Sequence, residues 1–184
     1  MARSNSTIRV ARDLFFKYDG STFYMSRDGA DREYRSYAVP GDLERQWLRE
    51  LTARHLDALV KPGNWWTLNF LVHHRDTNYL ERVIATPPLG ELWQRTAYLE
   101  LLLEYISACQ SAGASRAGIA SALNVVQKRA EDLMRRGRSE TSRARVAKVL
   151  VEAERRSQKL DQYLSRHQET YGAGFGSASA SKKP

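Results

Sequence analysis

The sequence predicts a mainly α fold: a helical bundle-like domain with a small N-terminal antiparallel β-hairpin or meander. Three observations carry this expectation. Apolar residues recur at steps of three and four from Leu43 onward, Leu92 to Cys109 is apolar on more than one side, and aromatic runs broken by Asp-Gly steps fill residues 14–37. A chain of 184 residues, 42% hydrophobic with four Trp, nine Tyr and five Phe, has the length and apolar content for one packed domain with an appendage.

Residues 1–12 are expected as a flexible N-terminus and residues 13–38 as the appendage. Leu14 to Tyr18, Thr22 to Met25 and Glu33 to Tyr37 read as three short strands, because Asp19-Gly20 and Asp28-Gly29 supply the positive φ that tight hairpin turns require. Strand alternation then puts Phe23 and Met25 on one face and Tyr24 on the other. Residues 39–170 form the helical domain. Val39-Pro40-Gly41 breaks the chain, Asp42 serves a new helix as cap or first-turn acid, and Leu43, Trp47, Leu48, Leu51, Leu59 and Val60 line its apolar side up to Lys61-Pro62-Gly63.

Asn64 is expected to cap the next helix, which carries Trp65, Leu68, Leu71 and Val72, and a shorter piece covers Tyr79 to Ala85 before Pro87-Pro88. Leu92 to Cys109, apolar nearly all round, is expected at the centre of the bundle. Ser115 offers a cap for the helical region that ends at Gly137. The last helix, from about Ser139 to His167, shows a stripe of Val146, Val149, Leu150, Ala153, Leu160 and Leu164, long enough to pair with another chain. Residues 171–184 are Gly, Ala, Ser and Lys for the most part, a composition expected of a disordered tail.

Function classes narrow by composition. No apolar run reaches the ~18 residues of a membrane helix, so no membrane partner is expected, and Met1 to Thr7 is polar without the apolar core of a signal peptide. A single Cys109 cannot make an internal disulfide, which fits a cytoplasmic setting. The net charge of +8 is unevenly placed. Residues 1–115 hold fourteen Lys/Arg and fourteen Asp/Glu, whereas residues 116–184 hold fifteen against seven, so the whole excess lies in the last third. A localised cationic surface draws polyanions and is rewarded by counterion release for each phosphate it neutralises.

Within that third, Arg116 to Met134 resembles a helix-turn-helix unit. Ile119, Ala120 and Leu123 match its first helix, Asn124 stands at the turn, and Val125, Ala130 and Leu133 match the apolar positions that follow. The resemblance implies that Val126, Gln127, Lys128 and Arg129 begin a recognition helix, with Gln suited to adenine and Lys or Arg to guanine or phosphate. The same residues also fit one uninterrupted amphipathic helix, and the two readings differ in whether the chain bends at Asn124. A second basic cluster, Arg135, Arg136, Arg138, Arg143, Arg145 and Lys148, is suited to a phosphate track, although Arg143 and Arg145 cannot share one helical face.

His73-His74-Arg75-Asp76 is the one clustered set of candidate metal ligands, but neighbouring helical histidines diverge, and the set also reads as a helix C-terminal turn in which Asp76 starts the next loop. Glu100 and Glu104 sit one turn apart without the Glu-x-x-His partner of a carboxylate-bridged bundle. Cys109 and the tryptophans Trp47, Trp65 and Trp66 read as core. The expectation is a non-enzymatic nucleic-acid-associated protein, a regulator or nucleoprotein-complex subunit, with DNA or RNA as partner and no cofactor. The alternatives are a protein-interaction or homo-oligomerisation module using residues 139–168, and a metal-dependent enzyme built on His73, His74 and Asp76.

Overall fold

The computed structural model describes residues 5–136 and 140–172. Among them the elements in chain order are α1 (Asn5–Lys17), α2 (Thr22–Arg27), α3 (Asp31–Ser36), α4 (Gly41–Ala58), α5 (Trp65–His73), α6 (Leu80–Ala85), α7 (Leu92–Ser111), α8 (Arg116–Arg136) and α9 (Glu140–Gly172). No strand occurs among the described residues, so the N-terminal β-hairpin or meander is replaced by helices.

The reason lies in a period overlooked upstream of Leu14. Ile8, Ala11, Phe15 and Tyr18 fall at steps of three, four and three; Ala11 and Phe15 are buried, and Ile8 and Tyr18 pack beside them. The stretch 5–12, expected as flexible, thus supplies half of α1's apolar side. Phe15 meets the rings of Trp47 and Tyr34 at centroid distances of 5.6 and 6.0 Å, and Arg12 pairs with Glu50, so α1 lies on α4. Asp19 and Gly20 do adopt positive φ, 49° and 68°, but they join two helices. Glycine is required at the second position because a Cβ there would stand 2.7 Å from the Phe15 ring. In α2, capped by Ser21, Met25 is fully buried and Phe23 is 64% exposed; a strand would have put them on one face.

The remaining helices follow the sequence pattern closely. Helix α7 is the centre, packed against α5, α6, α8 and α9, with Tyr98, Leu99, Leu102, Tyr105, Ile106 and Cys109 essentially inaccessible. Its phenols hold the short α6. Tyr98 Oη lies 2.9 Å from the Val83 carbonyl and 3.1 Å from that of Thr86, and Tyr105 Oη accepts from the Tyr79 amide at 3.1 Å. These bonds satisfy groups that a two-turn helix would otherwise leave open. Burial pushes the Tyr98 phenol up to about 12, so it stays a neutral donor.

Asn64 departs from its expected role. It precedes α5 but makes no side-chain cap; instead its amide donates to the carbonyls of Leu59 (2.8 Å) and Pro87 (2.9 Å), while its oxygen accepts from Leu89 N (3.3 Å). One buried side chain therefore ties the α4–α5 turn to the segment before α7. Trp47 is buried as expected, whereas Trp66 is 41% exposed.

Helices α8 and α9 form an antiparallel pair on α7. The stripe Val146, Val149, Ala153 and Leu160 is buried within the chain, so these residues of the helix expected to meet a partner are already covered; Leu164 lies outside the described side chains. Of residues 171–184, only 171 and 172 are described, as the end of α9. No helix of the described residues is long and apolar enough to cross a membrane.

Candidate functional site

Helix α8 runs unbroken from Arg116 to Arg136, which overturns the helix-turn-helix reading. Asn124 is exposed and is not among the residues with positive φ. Ile119, Ala122, Leu123, Val126, Ala130 and Leu133 form one buried stripe through the supposed turn, so a bend would forfeit both that stripe and the intrahelical hydrogen bonds. Ser115 caps the helix as expected, accepting from the Gly118 amide at 3.1 Å.

Without a recognition helix, the nine expected contact residues fall into different environments. Arg129 points inward: Nη2 donates to the Ile84 carbonyl at 2.7 Å, and Nη1 is buried without a partner. Burial holds its pKa below the usual arginine value, offset in part by the Tyr98 hydroxyl. It serves the C-terminus of α6 and offers nothing to a ligand. Gln127 lies partly buried between α8 and α9, 3.4 Å from Ser157 Oγ. Arg135 and Arg136 share Asp132, at 3.7 and 3.1 Å, and Arg145 forks onto Glu100 of α7 at 2.7 and 2.5 Å. Lys128, Arg143 and Lys148 are exposed and form no ion pair among the described residues. Arg138 lies outside the described residues.

The structure instead joins Arg145 and Lys148 of the expected cluster to residues that the sequence reading left out. Arg145, Lys148, Glu152, Arg156, Lys159 and Tyr163 follow one another at steps of three and four, so they share the flank of α9 that turns toward α7. Arg145 and Arg156 fix that orientation through Glu100, Leu103 and Ser107. At the far end the flank opens into a cleft of about 530 Å³ lined by Gln110, Arg116, Arg156, Lys159, Leu160 and Tyr163, with no carboxylate in its described lining. The Arg116 guanidinium lies 4.1 Å from the centroid of the Tyr163 ring.

Arg156 is held rigidly at the cleft wall. Nη1 donates to the Leu103 carbonyl at 2.6 Å and to Ser107 Oγ at 2.5 Å, and Nε donates to Glu152 at 2.6 Å. Three of its five N–H groups are thereby engaged, and the two on Nη2 have no partner among the described residues. Hydrogen bonds from Arg155 and Arg156 pull Glu152 down to about 2, so this carboxylate remains ionised and neutralises one of the two guanidiniums. Arg116, Lys148 and Lys159 have no such carboxylate among the described residues. The signal that finds this set in the sequence is the seven-residue recurrence Arg145, Glu152, Lys159 interleaved with Lys148, Arg156 and Tyr163.

The histidines gather elsewhere, around Asp19 in the α1–α2 loop. His55 donates to the Asp19 carboxylate at 3.2 Å, His74 to its backbone carbonyl at 2.7 Å, and Trp66 Nε1 to the other carboxylate oxygen at 3.3 Å. His73 turns away to stack on Tyr24, and Asp76 accepts from Asn78. His73, His74 and Asp76 therefore do not converge, and among the described residues no three His, Cys, Asp or Glu side chains are placed to hold a metal ion.

The Asp19 cluster makes stability depend on pH. Burial holds His74 below its ordinary 6.5, only partly opposed by its bond to Asp19. Burial of Asp19 raises its pKa, but hydrogen bonds from His55 and Trp66 and the nearby histidines outweigh this and leave it below 3.8. Both groups are depressed by folding, so each contribution is complete above the unfolded pKa and is lost as pH falls through the folded one. Thermal melts are expected to show the protein losing stability as pH drops below about 6.5, with His74→Gln flattening that first decline; an unchanged pH profile in the variant would assign the decline to another group.

No family model matches the chain, and comparison with curated proteins and with solved structures returns no match.

Proposed function

We propose that the chain is a non-enzymatic nucleic-acid-associated protein that grips the phosphate backbone along the α7-facing flank of α9. The observation that supports this is the row of cations without carboxylate partners among the described residues, Lys148, Lys159 and Arg116, ending in a cleft whose described walls carry three basic side chains and an aromatic ring. Such a row attracts phosphates at regular spacing and reads no base sequence by itself, so the affinity is that of a backbone binder. Lys128 and the Arg135–Arg136 pair sit on α8, away from this flank, and are accessory. DNA and RNA present the same phosphate charge and are equal candidates.

The test is fluorescence anisotropy with labelled DNA and RNA oligonucleotides between about 50 and 200 mM salt. Three phosphate contacts predict a slope of log affinity against log salt of about −2 to −3. The double variant Lys148→Ala/Lys159→Ala is expected to bring that slope toward zero by about two, while Lys128→Ala leaves it near the original. Absence of binding at the lowest salt, or affinity indifferent to salt, would sink the reading.

A further inference from the structure

Resting on the backbone-binding reading, we infer that the cleft between the start of α8 and residues 156–163 of α9 seats one unstacked nucleotide, so the chain prefers single strands to duplex. The cleft holds two kinds of chemistry side by side. Among the described residues, Arg156 presents an unengaged Nη2 pair from a guanidinium already fixed by Leu103, Ser107 and Glu152, and Lys159 stands on the same wall without an ion pair. A prefixed fork loses little side-chain entropy on binding a phosphate. Beside it, the Arg116 guanidinium lies over the Tyr163 ring at 4.1 Å.

Aromatic rings and guanidinium groups are the platforms on which an extruded base settles, and every base has a face to offer them. A duplex keeps its bases paired inside and brings only phosphates to such a surface, so the ring would be idle. The cleft volume of about 530 Å³ falls within the range of small-ligand pockets, which suits a single nucleotide unit. Lys148, further along the flank, then meets a phosphate further along the strand, while Arg145 stays paired with Glu100.

The experiment compares a mixed-sequence single-stranded DNA oligonucleotide, the duplex of the same sequence, and free nucleoside monophosphate, each titrated into the full chain. The single strand is expected to bind about tenfold tighter than the duplex at equal salt, with Tyr163→Ala removing that preference and Tyr163→Phe restoring it. Arg116→Ala should act in the same direction. Duplex affinity and its salt slope stay unchanged in the two Tyr163 variants, while Arg116→Ala also removes one phosphate contact and brings the duplex slope toward zero by about one; a variant that merely loosened α9 would weaken both arms together. Equal binding of single strand and duplex with a normal salt slope would overturn this inference and leave the backbone reading standing. Free monophosphate binding as tightly as the strand would also overturn it. Absence of binding in every arm would remove the backbone reading itself.

Discussion

Asn64→Ala is expected to cost about 3 kcal/mol of unfolding free energy, among the largest effects of any single polar substitution in the chain. The side chain is 1% exposed and makes three hydrogen bonds, two as donor and one as acceptor, to backbone groups of three different residues. Each such bond contributes about 1 kcal/mol net, and orphaning a buried carbonyl adds to the loss. Asn64→Asp should be at least as damaging, because a carboxylate accepts from Leu89 N but can only face the carbonyls of Leu59 and Pro87 with its own negative oxygens. Urea denaturation followed by circular dichroism checks the order. A mild aspartate variant would show that the two donated bonds contribute little.

Arg129→Ala should destabilise by about 2 kcal/mol through the orphaned Ile84 carbonyl and the packing of its aliphatic stem. Arg129→Met should do less harm, since it fills the same space and dispenses with a guanidinium nitrogen that is buried and unpartnered. Neither variant should alter affinity for oligonucleotides or its salt slope. Lost binding with unchanged unfolding would return Arg129 to the ligand-contacting set, so the two measurements together separate a structural cation from a functional one.

The contrast between Arg129 and Lys159 shows what a sequence reading reaches. Charge location was legible: most of the basic excess falls on α8 and α9. Which basic side chains face solvent was not, because that depends on where α6 and α7 pass. Arg129 looked like the heart of a recognition helix until the α6 C-terminus came to rest against it, and Arg145 looked available until Glu100, forty-five residues earlier, met it. Asn124 suggested a turn by its residue type, but the apolar stripe continuing through Val126, Ala130 and Leu133 decides the matter, since packing outweighs the preference of one exposed residue.

The N-terminal error had a different cause. Asp19-Gly20 did signal a positive-φ reversal, but such a reversal joins helices as readily as strands, and the flanking period decides between them. Reading α1 from Leu14 alone left out Ile8 and Ala11, which carry that period. The Asp19 cluster was invisible for a related reason: its members come from positions 19, 55, 66 and 74, and only the docking of the α1–α2 loop on α4 and α5 gathers them.

The order in which these helices leave a ribosome gives the position of α7 a further meaning. It rests on α8 and α9, which follow it in the chain, as well as on α5 and α6, which precede it. During synthesis the middle of the chain must therefore wait, sticky and half-clothed, for its closing third. The α8–α9 hairpin is as much the lid of the core as the bearer of the charge, and a sequence change that delays it exposes the core to clumping.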